Sequence, residues 1–599
     1  MWRSRVHPMR DYRNWVEAYD TLTDADRALI LRHIDTLVQR PLISVVMPTY
    51  NTPEAYLRRA IESVRRQLYT HWELCIADDA SSEPHVRRIL EEYRAQDPRI
   101  KVTYRAQNGH ISAASNSAIT LATGEFVALL DHDDELAGHA LYMVAVELEA
   151  RPAAEIVYSD EDKLTVDGSR FDPYFKPDWD PDLFLAQNLV AHLCVCRTER
   201  VREVGGFRPG YDGAQDWDLL MRIAERVPAA DIHHVPHILY HWRAVPGSTA
   251  LAIGEKSYVS AAQYRTRAAH FARRGERVEI LPVAGLCWRI RYPLPDPAPL
   301  VTVIIPTRDR VALLRRCITS LRERTVYPGL ELVVIDNQSA EPATLSYLAE
   351  LANEPDVTLL RYDAPFNYSA ISNLAARHAR GQVLALLSND VEAASTRWLE
   401  EMVSQACRPE IGAVGAMLYY PNDTIQHAGV ILGLGTSGIA ARAYAYRPRG
   451  YAGQIGRALL SQTLSAITAA CLVVRREVFE EVNGFDEALS SAYYDVDLCL
   501  RIRERGYRNL WTPYAELYHH ASASRGYEDT PAKRKRLQHE AGYIRRRWDG
   551  PLRNDPAYNP NLSLDGESFT LAFPPRAPKP WLEPAAGDPP VREPAGSRA

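Results

Sequence analysis

Lysine is scarce in this chain: seven of the 70 basic residues are Lys, and acidic residues outnumber the basic ones at 76. A net charge of −6 excludes a protein devoted to coating nucleic acid, so no nucleic-acid partner is expected. Cysteine is sparse too. Eight residues in 599, with no CxxC pair and mostly inside apolar runs such as LCIAD around Cys75, exclude a disulfide scaffold and read as reduced, buried thiols. Long hydrophobic runs are also missing. The longest uncharged stretches, Thr424 to Ala441 and Ala458 to Val474, carry Gln426, His427, Ser461, Gln462 and Ser465 and do not read as membrane spans. The opening MWRSRVHPMRDYRNW lacks the apolar core of a secretory signal, so a cytoplasmic location is the expectation. What remains, 46% hydrophobic and 24% charged, is globular composition with length for more than one domain.

The chain repeats itself. ISVVMPTYN at 43–51 returns as VTVIIPTRD at 301–309, and ELCIADDAS returns as ELVVIDNQS, so that Pro48 and Pro306, like Asp78 and Asp336, lie 258 residues apart. Asn116 with Asn373, Gly124 with Gly381, and Asp133 with Asp390 follow at 257. Beyond them VREVGGF matches FEEVNGF, QDWDLLMRI matches YDVDLCLRI, and LYHW matches LYHH, at 278 or 279. The second copy therefore carries an insertion of about 21 residues, placed within Pro421 to Leu460 and expected, from its Gly-, Tyr- and Arg-rich composition, as a surface loop. Within each copy β-branched runs alternate with stretches of helical apolar spacing. That alternation predicts an α/β fold with a mainly parallel sheet and ligands beyond the carboxyl ends of its strands. The predicted organisation is an N-terminal helical segment over 1–40, with Thr23 or Asp24 as a cap, a first domain over 41–281, a Pro-rich linker over 282–300, a second domain over 301–550, and a largely disordered tail over 551–599.

The shared polar residues sit where strands end. Asp131-His132-Asp133-Asp134 follows the apolar FVALL, and carboxylates so crowded repel one another unless a hard cation such as Mg2+ or Mn2+ joins them; a solvated acidic turn is the bland alternative. Its second form is Ser388-Asn389-Asp390, where one charge survives and a weaker metal site is expected. Asp78 and Asp79 end the second strand, suited to accept a base N–H or to close an Asx turn, and Asp336 and Asn337 correspond to them. Asp216 with Asp218, and Asp495 with Asp497, straddle one bulky residue before a helical run. We assign a general base to Asp216 and Asp495 and local structure to Asp218 and Asp497. His241 and His519 are metal or diphosphate ligands or satisfied core histidines.

This ordered set, PTYN, an Asp after the second strand, AxN, LLDxDD, GGF, QDWDL and YHW, resembles the family 2 glycosyltransferases over residues 41–250 and again 299–525. The resemblance implies two tandem glycosyltransferase A-type domains, Rossmann-like, in an inverting enzyme of bacterial O-antigen, capsule or rhamnan assembly. It places a divalent metal mainly on Asp133 and Asp390, to which the matched His241 and His519 are added as candidate ligands, and catalysis on Asp216 and Asp495. It places nucleotide-sugar contacts on Pro48, Thr49, Asp78, Asp79, Asn116 and Asp131, and on Pro306, Thr307, Asp336, Asn337, Asn373 and Asn389. The donor it implies is a UDP- or dTDP-sugar, with dTDP-rhamnose suggested for the second domain by IDN and SND. The acceptor it implies is a glycan or lipid-linked glycan at the membrane face; the basic runs Lys533 to Arg536 and Arg545 to Trp548 read either as a contact with anionic headgroups or as a solvated helix face. Two other readings stay open. A nucleotidyltransferase normally has a Gly-rich loop after the first strand, and PTYNTPEAY and PTRDRVALL lack one; alternatively, one domain is a non-catalytic glycan-binding or scaffolding module.

Overall fold

The computed structural model describes residues 8–244, 257–520 and 530–582. Its two large sheets are built to the same plan. In the first, β1 (Ile43–Thr49), β2 (Trp72–Asp78), β3 (Ile100–Tyr104) and β4 (Phe126–Leu129) are mutually parallel. They continue into β5 (Glu135–Leu136), β6 (Ile156–Leu164), β7 (Arg170–Tyr174), β8 (Cys194–Arg197) and β9 (Ile232–Arg243), in the spatial order β3-β2-β1-β4-β8-β6-β9-β5 with β7 paired to β6. The second sheet repeats that order with Val357–Arg361, Leu330–Asp336, Val301–Thr307, Val383–Leu387, Cys471–Arg475, Ile411–Tyr419, Arg508–His519 and Val391–Ala393. Register repeats as well: Ile43 pairs with Trp72 and Phe126, and Val301 with Leu330 and Val383. Beyond the four parallel strands the pairing is mixed, since Cys194–Arg197 runs antiparallel to both its neighbours.

Every residue of β1 and β2 is buried, as expected when helices cover both sheet faces. The helix Glu54–Arg65 supplies Leu57, Ala60, Ile61 and Val64 to one face, and His110–Ile119 supplies Ala114 and Ala118. Gly124 is forced by close approach: a Cβ there would lie 2.4 Å from the Leu42 carbonyl, and at Gly381 2.6 Å from the Thr302 nitrogen. The N-terminal helices form as predicted, and Thr23 is the cap of Asp24–Thr36, closing a capping box with Asp26.

Three expectations change. Residues 421–460 are not one surface loop: 445–456 lie at the surface, but most of 425–444 is built into the fold. They hold the short strands Ile425–His427, Val430–Leu432 and Ala440–Arg442 and bury Ile425, Val430, Ile431, Leu432 and Ile439 in the second unit's core. The start of the linker is a hairpin, Glu279–Pro282 with Trp288–Arg291, whose Trp288 is buried and donates to Gln263 at 3.0 Å. The segment expected to be disordered is packed as far as residue 582, because its apolar and amide side chains find partners in the first unit. The helix Pro531–Arg553 leads into a strap in which Asn559 and Asn561 bond to buried Asp160, Ala572 accepts from Trp15 at 3.0 Å, and Trp581 donates to Asp26 at 2.9 Å. Residues 583–599 lie outside the described residues. Across the two units Asp182 also pairs with Arg408 at 2.6 Å and Arg508 at 3.0 Å. Among the described residues no helix is long and apolar enough to cross a membrane.

Candidate functional site

The turn after β4 carries the acidic cluster to the carboxyl end of the sheet. Asp134 points inward, accepting from Tyr240 Oη at 2.6 Å and the Arg243 backbone N–H at 2.7 Å. Burial, reinforced by Asp133 and Asp131, pushes its pKa well above the carboxylate range. Asp131 remains 43% exposed, yet its recess in the cleft raises its pKa, with His192 opposing and Asp133 and Asp216 adding to the rise.

His192 joins this cluster. Its ring lies flat on Tyr240, with centroids 4.5 Å apart, and its Nε2 is 4.0 Å from Asp131. Burial disfavours the imidazolium, but Glu161, 3.3 Å from Nδ1, outweighs it and holds the pKa up to about 9. Buried Lys176 fixes the segment by donating to the Ser159 and Val190 carbonyls at 2.7 Å, to the His192 carbonyl, and to Glu161 at 3.1 Å.

Asp131, Asp134 and His192 bring one ligand atom each within 4.8 Å of one another. This set differs from the expected Asp133 with His241. The Nδ1 of His241 is engaged by buried Asp162 at 2.6 Å, and Asp162 also accepts from Tyr12 at 2.6 Å and from Arg170. Two carboxylates and an imidazole suit a divalent cation, whose charge would displace the protons that burial and Glu161 favour on Asp134 and His192.

Facing the cluster, the helix Gln215–Ala224 carries Asp216 in its first turn. Asp216 accepts one bond from Asn188 at 2.7 Å. Asp218, two residues on, is buried and held by Arg208 at 3.0 Å and Arg222 at 2.9 Å. The second unit repeats the division. Asp495 accepts backbone N–H bonds from Val496 at 3.0 Å and Ala469 at 3.3 Å and a side-chain bond from Thr468, with no cation against it, and burial raises its pKa. Asp497 is buried against Arg501 at 2.7 Å, Trp548 at 2.9 Å and Arg547 at 3.2 Å. Trp548 is thus a core residue, in neither the membrane contact nor the solvated helix face expected of its run, while Arg545 and Arg546 are exposed.

The expected nucleotide contacts fall into two groups. Asp78 and Asp336 each end a strand and accept from Ser81 at 3.3 Å and Ser339 at 3.0 Å, with Pro48 and Thr49, or Pro306 and Thr307, on the neighbouring strand. Asp79 instead locks a loop, accepting from Arg105 at 2.6 Å and Gly109 at 3.0 Å. Asn337 donates to the Tyr362 and Ala364 carbonyls, leaving its buried Oδ1 without a protein partner. Asn116 and Asn373 were expected at the nucleotide; each clamps the backbone of a distant Phe, Phe207 at 2.8 Å and Phe485 at 2.9 Å, through both N–H and carbonyl. Asn389 donates to Thr307 at 3.0 Å, and Asp390 lies 3.2 Å from His519, whose other nitrogen meets Gln426 at 2.9 Å. The metal pair expected for the second unit is therefore adjacent.

The profile of "Glycosyl transferase family 2" matches residues 44–199 and 302–482, more than half of the chain. The protein y4gI of Sinorhizobium fredii is 48% identical over 92% of this chain and 61% of its own length. The O-antigen biosynthesis protein RfbC of Myxococcus xanthus is 39% identical over 93% of this chain and 43% of its own. The chain thus spans less than two thirds of either relative. Among solved structures, S. aureus TarS 1-349 in complex with UDP-GlcNAc matches 38% of this chain and 66% of that one, with 20% identity and a TM-score of 0.32.

Proposed function

Because the chain belongs to glycosyl transferase family 2, we propose that each unit binds a nucleoside-diphosphate sugar and transfers the sugar to an acceptor hydroxyl, with Asp216 and Asp495 as general bases. One observation carries this reading. In both copies two carboxylates start the same helix, and cations neutralise the second while the first is left without one. Asn188 orients Asp216 through Oδ2, so Oδ1 is available to take the acceptor's proton. Attack from the face opposite the departing diphosphate inverts the sugar.

Asp131, Asp134 and His192 would hold Mg2+ or Mn2+ in the first unit, and Asp390 and His519 in the second. Such an ion supplies positive charge against the diphosphate. Asp78 and Asp336 stand at strand ends suited to a UDP- or dTDP-linked base, with dTDP-rhamnose the candidate for the second unit. The acceptor is a growing surface polysaccharide, carried on lipid at the inner face of the plasma membrane, where exposed Arg534, Lys535, Arg545 and Arg546 meet anionic headgroups. The polysaccharide assignment draws on the O-antigen biosynthesis relative.

A second reading has support too. The strand register places Ala470 where the first unit has His192, and Asp390 is the one carboxylate of its acidic motif. That favours one catalytic unit with a glycan-holding partner. Nucleotide release and product analysis for the whole chain and for D216N and D495N, over a panel of UDP- and dTDP-sugars with Mn2+ or EDTA, separates the readings. Two activities lost independently support a bifunctional enzyme. An unaffected D495N leaves the second unit as a holder, and donor turnover unchanged in both variants overturns the proposal.

A further inference from the structure

The second unit's insertion presents an aromatic surface that is linked to Asp390 through Gln426 and His519. Tyr446 is 68% exposed. Its ring lies parallel to that of Tyr420, with centroids 5.4 Å apart and planes 7° apart, and the Arg442 guanidinium sits 5.9 Å from the Tyr420 ring. Tyr446 adopts left-handed backbone at φ 67°, a conformation unfavourable for a bulky side chain, and the neighbouring Tyr444, also left-handed at φ 54°, is buried in the core. The turn is nevertheless fixed, because Tyr446 N donates to Ile425 O at 2.8 Å and Ile425 N donates to Arg447 O at 2.7 Å. The next residue, Gln426, touches His519, which touches Asp390. Sheet order sets the direction. The strand ending at Asp336 lies two places to one side of Val383–Leu387, and Ile411–Tyr419, which leads into Tyr420, lies two places to the other.

We propose that Tyr446, supported by Tyr420, is a stacking platform for a pyranose ring of the acceptor glycan, on the side of Asp390 opposite the nucleotide. A pyranose offers a face of weakly positive C–H groups to the negative face of an aromatic ring. A rigid exposed tyrosine meets it with little loss of side-chain freedom. This inference rests on the reading that the second unit handles sugar donors and acceptors.

The probes are methyl glycosides of glucose, galactose, mannose, rhamnose and N-acetylglucosamine. Saturation-transfer NMR on the whole chain measures their binding, with uridine as competitor. At least one is expected to bind saturably, about tenfold more weakly to Y446A, with affinity recovered in Y446W. Because glycine tolerates φ 67°, Y446G is expected to lose binding while its thermal midpoint stays at or above that of the unsubstituted protein, which separates lost binding from lost fold. Absence of binding by all five glycosides, equal binding by Y446A, or displacement by uridine overturns the platform. Nucleotide release sensitive to D495N is read separately: if it is absent while glycosides bind, the transferase reading of this unit fails and the platform stands.

Discussion

The side-chain amide of Asn559 donates to both carboxylate oxygens of Asp160, at 3.0 and 2.8 Å, across 399 residues of chain. Asp160 is fully buried and begins the Asp160-Glu161-Asp162 run whose next two members hold His192 and His241. The C-terminal strap thereby supports the strand behind the first unit's site. Removing a partner from a buried carboxylate costs about 2 kcal/mol. N559A is expected to lower the denaturant midpoint and to raise hydrogen exchange along Ile156–Leu164 while leaving Pro531–Arg553 protected. Equal protection throughout would confine the strap to a surface covering.

A polar clamp recurs in both units. Glu73 accepts from Ser44 at 2.7 Å, from Thr123 backbone and hydroxyl, and from Lys101 at 2.5 Å; Glu331 repeats it with Thr302 and Arg380. Burial works against the Glu73 carboxylate, but these donors prevail and hold its pKa down to about 2. A carboxylate depressed from its ordinary value near 4.5 stabilises the fold above pH 4.5, and the contribution disappears as pH falls toward 2. Its size is on the order of 3 kcal/mol. Chemical denaturation of the unsubstituted protein and E73Q from pH 7 to pH 3 should show a stability gap that is constant above about pH 5 and narrows below it. A gap independent of pH would assign the loss to packing.

Glycine identity is tested at the turn that Asn116 clamps. Gly206 has φ 66°, and a Cβ there would lie 2.4 Å from Asn116 Oδ1; Gly484 stands at φ 63° and 2.5 Å from Asn373 Oδ1. Neighbouring Gly205 also has positive φ, 80°, but faces open space. G205A is expected to cost about 1 kcal/mol for backbone strain alone. G206A should cost roughly 2 kcal/mol more, because the added methyl also breaks the Asn116 clamp. Thermal unfolding of the two variants makes the comparison, and equal midpoints would rule out the clamp as the reason for glycine.

These examples mark what was legible in the sequence. The repeat, its register and the acidic strand ends could be read because both copies carry the same short patterns, and identical neighbours impose identical pairing. Asn116 was visible but its partner was not: Phe207 lies 91 residues away, and no local spacing encodes that contact. His192 escaped because it has no equivalent in the second copy, where Ala470 stands, so self-similarity passed over it. Its one signal was a titratable ring inside the apolar LVAHLCVC. The insertion and strap were misjudged on Gly and Pro content. Composition records backbone freedom, whereas Ile431, Leu432 and Trp581 were buried by surfaces that only the assembled units provide.

The division between Asp216 and Asp218 supplies the sharpest test, because neighbouring carboxylates should fail in opposite ways. Asp218 is buried between Arg208 and Arg222. D218A leaves both guanidinium groups without their counter-charge, and breaking such a buried arrangement costs about 3–5 kcal/mol. Asp216 carries one exposed-side bond from Asn188, so D216N should change stability by less than about 1 kcal/mol. Its amide cannot accept a proton, so sugar transfer by the first unit should fall by at least about a hundredfold. Denaturant unfolding and product formation measured on the same two preparations decide the matter. A stable D216N that still transfers would move the base elsewhere, and a stable D218A would deny that the arginines depend on Asp218. The predicted pattern, one variant stable and inactive and the other unstable, follows from which carboxylate already holds cations in the folded chain.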